Sequence, residues 1–194
     1  MNEPEPSLNK MAQMLVVVAG FFASVALLAS RVEPAGWAEI ARRGVTLALA
    51  TGLAVRYWWV ILLLDWPFRP ARAALLLLAW SALVAAAGAG RPQAWAFSLA
   101  ALSALGALTE GYNAATRQWA VGPPALAQSL RRDHRNGLVA AALGAVSLVA
   151  AGVWLPTAWL VAFVGLMTLA DWARLAEMIA RHRRLSPRPE EYAR

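Results

Sequence analysis

The chain contains no cysteine. This absence excludes disulfides, cysteine-ligated zinc, iron–sulfur clusters and thiol catalysis. Histidine is nearly as scarce, because His134 and His182 are the only two in 194 residues, and neither lies within an apolar run. Two histidines leave little from which to build a haem or a metal site. We therefore expect no cofactor and no bound metal.

Charged residues are also scarce. They make up 15% of the chain, whereas hydrophobic residues make up 60%; a soluble domain carries about 25% charged residues. Several apolar runs approach or exceed the ~20 residues that span a bilayer. No polar stretch is long enough for a second soluble domain. The sequence therefore predicts an all-α integral membrane protein with a single membrane domain over residues 1–194.

Enzyme signatures are missing from the sequence. There is no phosphate-binding P-loop, no H-E-x-x-H, no G-x-S-x-G and no G-x-G-x-x-G. Acids and histidines are not spaced as metal ligands either. We therefore assign no catalytic residue, and an enzyme is not the favoured class.

The net charge of +7 is the one feature that could indicate nucleic acid. A nucleic-acid surface would need basic and aromatic residues interleaved in a soluble segment, and the sequence contains no such segment. In a membrane protein, excess positive charge reflects the positive-inside bias and attraction to anionic lipid headgroups. We expect a bilayer with anionic headgroups as partner, and no nucleic acid.

A short pattern, proline followed three residues later by tryptophan, occurs three times. The copies are Pro34–Trp37, Pro92–Trp95 and Pro156–Trp159, and each follows one long apolar run and opens another. Proline is favoured in the first turn of a helix, and tryptophan is favoured at the membrane–water interface. The pattern predicts three helical hairpins, and hence about six transmembrane helices.

The predicted helices have one ambiguous member. We place them at about 11–30, 35–55 or 44–64, 71–89, 94–109, 137–154 and 157–180, with a loose basic tail over 185–194. For the second helix we prefer 35–55, because Arg56 then lies at a boundary where it can snorkel. Residues 112–136 are predicted to be the only sizeable loop, with a short interfacial helix over 125–132. We expect the first helix to be retained, because no clean signal-peptidase site follows it.

The distribution of Lys and Arg predicts the orientation in the membrane. With the N-terminus inside, the cytoplasmic flanks hold Lys10, Arg69, Arg72, Arg117, Arg131, Arg132, Arg135, Arg174, Arg181, Arg183, Arg184, Arg188 and Arg194. The outer flanks hold only Arg31, Arg42, Arg43 and Arg91. We therefore expect a multi-pass protein of the bacterial cytoplasmic (inner) membrane with both termini cytoplasmic.

Two predicted helices carry stripes of small residues. The stripes are Ala96, Ala100, Ser103 and Ala107 on the fourth helix, and Ala140, Gly144, Ser147 and Ala151 on the fifth. Small residues let membrane helices approach closely. The stripes could pack within the chain, or they could build a homo-oligomer or a larger membrane complex.

Three acidic residues lie near the predicted cytoplasmic ends of even-numbered helices: Asp65, Glu110 and Asp171. Carboxylates inside a membrane can carry protons or cations, so these residues are candidates for ion or proton coupling. The favoured alternative is interfacial ion pairing. Asp171 and Arg174 are spaced i,i+3, and Asp65 precedes Arg69.

A second group of candidates could contact an anion or a lipid headgroup: Arg56, Arg131, Arg132, His134 and Arg135. For Arg56 the favoured alternative is a boundary residue that snorkels. His134 could act as a general base, but a solvated loop facing headgroups is the favoured interpretation.

The order of these features resembles a known family. Within Leu138–Arg184, Pro156 marks the turn, Asp171 comes late in the second helix and Arg183 follows near the end. This layout resembles the bacterial acid-resistance membrane protein family (HdeD-like), although Trp172 stands where that family commonly has glycine. The resemblance implies a small inner-membrane protein with a stress-related role, and no known active site.

Three functions follow from these observations. The favoured one is a non-enzymatic six-helix protein that acts as a stress-related, accessory or assembly factor. The alternative is a small proton- or cation-coupled transporter or channel that uses Glu110 and Asp171. The third is a lipid-acting membrane enzyme, which would need Asp133 or His134.

Overall fold

The computed structural model describes residues 8–30, 36–63, 69–117, 120 and 123–185. Over these ranges the chain forms six helices and no strand, which confirms the predicted all-α class. The helices are α1 Leu8–Ala29, α2 Trp37–Leu63, α3 Pro70–Gly88, α4 Pro92–Ala115, α5 Pro124–Trp154 and α6 Thr157–Leu185.

Four of these helices, α1, α3, α5 and α6, are long and apolar enough to cross a membrane. This finding agrees with the prediction of a membrane protein. The other two are less apolar for different reasons. α2 carries Glu39, Arg42, Arg43 and Arg56, whereas α4 is rich in small and weakly polar residues.

Proline sets the start of three helices. Pro70, Pro92 and Pro124 each occupy the first turn of α3, α4 and α5. Proline is tolerated there because the N–H that it lacks would have no intrahelical partner. The second and third copies of the Pro–Trp pattern therefore open helices as predicted, since α6 begins directly after Pro156. Pro34 lies outside the described residues.

The predicted loop over residues 112–136 is wrong. α4 continues to Ala115 and α5 begins at Pro124, so the predicted short helix over 125–132 is the first part of α5. The prediction failed at Gly137, which was expected to begin a helix and instead lies inside one. The charged residues before it are compatible with a buried helix face because two of them, Asp133 and His134, find partners on neighbouring helices.

The two alternatives for the second helix merge into one long helix. α2 runs from Trp37 to Leu63, so the preferred end at Arg56 is wrong. Arg56 lies inside the helix, and its guanidinium bonds to a carboxylate on α4 rather than marking a boundary.

The small-residue stripes of α4 and α5 face each other. A Cβ atom built on Gly144 would lie 2.8 Å from Ser103 Oγ, and one on Gly152 would lie 2.9 Å from Ala96 Cβ. Ser103 Oγ also donates a hydrogen bond to the carbonyl oxygen of Ala141 at 2.9 Å. Close backbone approach at small residues is how membrane helices associate, so the stripes serve packing within the chain.

The tryptophans of the Pro–Trp pattern occupy different environments. Trp37 and Trp159 are 67% and 69% exposed, whereas Trp95 is 0% exposed. Trp95 Nε1 donates to Thr46 Oγ1 at 2.9 Å, which ties α4 to α2. The prediction that Trp95 lies at the membrane interface is therefore wrong, because Trp95 is part of the core.

α2, α4, α5 and α6 surround a space within the bundle. α4 packs against α3 and α5, and α1 packs against α2 and α3. α2 also packs along α6, whereas α4 and α6 have little contact with each other. The candidate site lies in the space between the α2–α6 pair and the α4–α5 pair.

Substitution of Gly20 tests the packing of α1 on α3. A Cβ atom at Gly20 would lie 2.5 Å from the Trp80 ring, and Trp80 is buried and cannot move aside easily. We expect Gly20→Ala to lower the free energy of unfolding by about 1–3 kcal/mol, as overpacking does. Denaturant titration of the detergent-solubilised protein measures this change.

The matched control is Gly44→Ala, because no atom lies within 4 Å of a Cβ atom built there. Alanine is a better helix former than glycine by about 1 kcal/mol, so this variant should be as stable as the parent or more so. Equal destabilisation by both substitutions would contradict the packing of Gly20 against Trp80.

Candidate functional site

A cavity of about 430 Å³ lies between α2, α4, α5 and α6, with part of α3 in its wall. Its volume is within the range of about 300–1,000 Å³ that is usual for small-molecule sites. Part of the wall is apolar and includes Leu99, Leu148 and Val164. The opposite part, which we call the Glu110 end, carries Arg56, Arg72, Glu110, Asp133, His134, Asp171, Arg174 and His182. The cavity is therefore amphipathic.

Glu110 is the central carboxylate of this end. It lies on α4, and its side chain is only 12% exposed. Its Oε1 accepts a hydrogen bond from Arg56 Nη2 of α2 at 3.0 Å. Its Oε2 lies 2.5 Å from His134 Nδ1 of α5. The two oxygens of one carboxylate thus join three helices.

Gly137 makes room for this arrangement. A Cβ atom built on Gly137 would lie 3.1 Å from Glu110 Oε1 and 3.2 Å from Arg174 Nη2. The missing side chain lets a carboxylate from α4 and a guanidinium from α6 approach the same point on α5. Gly137 and Arg174 were not among the predicted site residues. The sequence did indicate Gly137, because it is a glycine about one helical turn after Asp133 and His134 and therefore lies on the same helix face.

Asp133 forms a second cluster between α5 and α6. Its carboxylate accepts Arg181 Nη1 at 2.9 Å and lies 3.0 Å from His182 Nε2. Its backbone carbonyl accepts Arg174 Nη2 at 3.1 Å. His182 is only 1% exposed, so this end of α6 is held to α5 by buried polar contacts. Arg181 also pairs with Glu177.

The segment around His134 is not the solvated loop that we expected. His134 is buried and points at Glu110, whereas Arg131, Arg132 and Arg135 are exposed. Helical periodicity explains the split, because Asp133, His134 and Gly137 fall on one face. Had the segment been recognised as a helix, its period would have separated the two sets.

The remaining predicted acids have different outcomes. Asp171 lies in the cavity wall and is exposed. The i,i+3 ion pair with Arg174 is not formed, because Arg174 turns to the carbonyl oxygen of Asp133 instead. Asp65 lies outside the described residues, and so does the suggested pairing with Arg69.

The chemistry available at this site is proton exchange and anion contact. A carboxylate within hydrogen-bonding distance of an imidazole can exchange a proton with it, and three arginines lie in the same wall. Over the described ranges, no three His, Asp or Glu side chains are grouped as ligands for a metal ion.

Substitution of Asp133 tests the attachment of α6 to α5. Asp133→Asn leaves buried His182 without its carboxylate and leaves Arg181 with Glu177 alone. We expect a loss of about 1–3 kcal/mol in the free energy of unfolding, as for an unsatisfied buried group. Denaturant titration in detergent gives this value.

Glu177→Gln is the matched control, because Glu177 pairs with the same Arg181 but its side chain is 70% exposed. Exposed ion pairs contribute about 0–1 kcal/mol, so this change should cost little. If Glu177→Gln lowered the free energy of unfolding as much as Asp133→Asn does, the Asp133 cluster would not be what holds α6 to α5.

Comparison with known proteins adds no relatives to this description. No family model matches the chain, and no curated protein or solved structure matches it. The function is therefore inferred from the cavity and from the charged side chains at its Glu110 end.

Proposed function

We propose that the protein is a small multi-pass transporter whose cavity is gated by protonation of Glu110. The observation that carries this proposal is the position of the cavity between two helix pairs that are joined at both ends. A cavity with a separate closure at each end is what alternating access requires.

The two closures join the same two helices. At one end Trp95 of α4 bonds to Thr46 of α2, and at the other end Glu110 of α4 bonds to Arg56 of α2. Thr46 and Arg56 are separated by about 15 Å along α2, at 1.5 Å per residue. Movement of α2 away from α4 at either end would break one of these contacts while the other holds.

Protonation acts on the Glu110 closure. A protonated Glu110 loses its charge, so the ion pair with Arg56 becomes an ordinary hydrogen bond of about half the strength. Acidic residues in membrane proteins commonly serve as proton relays. Asp171 lies in the same cavity wall and supplies a second carboxylate for the coupling.

The proposal includes six membrane crossings in three hairpins. α2 and α4 have 27 and 24 residues, so at 1.5 Å per residue each exceeds the ~30 Å hydrocarbon thickness. Arg56 and Glu110 line the cavity instead of facing lipid, and Glu39 pairs with Arg42 and Arg43 near the start of α2. We place both termini on the cytoplasmic side of a bacterial inner membrane, supported by the excess of arginine at the Glu110 end.

The stress-related role implied by the HdeD-like resemblance is compatible with this proposal. A gate that responds to protonation would open when the surroundings become acidic. A non-enzymatic accessory factor is the competing proposal, and it requires no movement of the cavity from one face of the membrane to the other.

Labelling of Ala140→Cys tests for alternating access. The native chain has no cysteine, and Ala140 lies in the cavity wall. We expect a membrane-impermeant thiol reagent to label this cysteine from either face in oriented vesicles. Acidic pH should favour labelling from the face at the Glu110 end, because protonation weakens that closure.

Two controls on α5 calibrate this measurement. Arg135→Cys lies on an exposed position outside the cavity wall and corrects for the intrinsic effect of pH on thiol reactivity. Val146→Cys, which is 70% exposed on an apolar face, should not be labelled by a charged reagent. Labelling of Ala140→Cys from one face alone at every pH would contradict the transporter and favour the accessory factor.

Glu110→Gln tests the gate itself. Glutamine keeps the shape of the side chain but removes its charge, so it mimics the protonated state. In the Ala140→Cys background we expect labelling from the Glu110 end to rise severalfold at neutral pH and to lose most of its pH dependence.

Glu39→Gln is the matched control for this change. Glu39 is also paired with arginines, Arg42 and Arg43, but it lies at the start of α2 and outside the cavity wall. Its substitution should leave the pH profile of labelling intact. If Glu110→Gln left the pH dependence of labelling unchanged, protonation of Glu110 would not control access to the cavity.

A further inference from the structure

Glu110 has more nitrogen-bearing side chains around it than one carboxylate needs. Arg56 and His134 contact its two oxygens, and Arg174 approaches the same point at Gly137. Glu110 takes one nitrogen of Arg56, and a guanidinium carries five N–H donors in a planar fork. Arg56 is only partly buried and lies in the cavity wall. Arg56 can therefore bond to a ligand carboxylate once Glu110 releases it.

We propose that the cavity binds an amphipathic organic anion, a monocarboxylate with an apolar body, and that Glu110 competes with this anion for Arg56. The proposal rests on the proposed transport function and names its substrate class. The Glu110 carboxylate occupies the position that the ligand carboxylate takes once Glu110 is protonated.

The charge balance of the cavity supports an anion. The titratable and charged groups that face Glu110 are Arg56 and Tyr57 from α2, Arg72 from α3, His134 from α5 and Arg174 from α6, while Asp133 and Asp171 face Arg56. Asp133, the other acid in the wall, is already bonded to Arg181 and His182. Protonation of Glu110 therefore removes the negative charge that is bonded to Arg56, and an anion can replace it.

This imbalance couples the anion to the proton. An arginine without a counter-charge is costly within a membrane, so protonation of Glu110 is favoured when an anion takes its place beside Arg56. One proton and one monocarboxylate then enter together without net charge. Guanidinium and carboxylate also match in geometry, since both are planar and form paired hydrogen bonds.

The apolar wall indicates the rest of the ligand. Leu49, Leu53 and Leu102 line the cavity, and so does Met167 of α6. A small hydrophilic anion would leave this surface without contacts. A fatty-acid-like carboxylate would bury its chain there, and each buried methylene should tighten binding about fourfold.

Titration calorimetry of the full-length protein in nanodiscs tests the ligand class. The probes are decanoate, decanol and decyltrimethylammonium, which share a ten-carbon chain and differ in charge, with signals from protein-free nanodiscs subtracted. We expect decanoate to bind at least tenfold more tightly than the other two. Octanoate should bind about 16-fold more weakly than decanoate, because it lacks two methylenes.

Variants assign the recognition to named groups. Arg56→Gln should weaken decanoate binding at least tenfold, whereas Arg135→Gln makes the same charge change at an exposed position outside the wall and should have no effect. Decanoate should bind the parent more tightly at pH 6 than at pH 8, because protonation of Glu110 releases Arg56. Glu110→Gln should bind decanoate at pH 8 at least as tightly as the parent does at pH 6.

Several results would overturn the proposal. Equal binding of decanol and decanoate would remove charge recognition, and tighter binding of decyltrimethylammonium would assign the site to cations held by Asp171. Full retention of the pH dependence in Glu110→Gln would exclude the competition. Binding of decanoate together with labelling of Ala140→Cys from one face alone would support the ligand class and contradict transport. Labelling of Ala140→Cys from both faces without binding of decanoate would support transport and contradict the ligand class.

Discussion

The two bonds of the Glu110 carboxylate, to Arg56 and to His134, position the helices at the Glu110 end of the molecule. A buried carboxylate is costly unless its oxygens are bonded, and here one oxygen bonds to Arg56 and the other to His134. These partners come from different helices, so satisfying one side chain positions α2, α4 and α5 together. Gly137 is part of the same constraint because any side chain there would displace the carboxylate.

The rest of the bundle follows from how closely its helices can approach. α4 and α5 meet through small residues, with Ser103 bonding across to the backbone of α5. α2 and α6 lie against each other, and Trp172 fills the surface above Gly52. α6 is bonded to α5 through Asp133 but has little contact with α4, and the cavity lies between the two pairs. A contact at each end, one neutral at Trp95 and one ionic at Glu110, closes that space.

The sequence predicted features that depend on a few consecutive residues, but it did not predict features that depend on contact with another helix. Pro70, Pro92 and Pro124 mark helix starts because proline fixes φ and lacks the N–H. The segment around His134 was predicted as a loop because its charges have no visible partner in the sequence. Those partners lie on α4 and α6. The predicted pairing of Asp171 with Arg174 failed for the same reason, since Arg174 found a carbonyl on α5.

The sequence by itself determined that the protein is all-α and carries helices fit for a membrane, because hydrophobic runs and prolines act over a few residues. It also named Glu110 and Arg56 as candidate site residues near predicted helix ends. Only the tertiary structure decided that they meet, since they are 54 residues apart. Spacing along one helix sets which side chains share a face, but it does not determine which helix lies against that face.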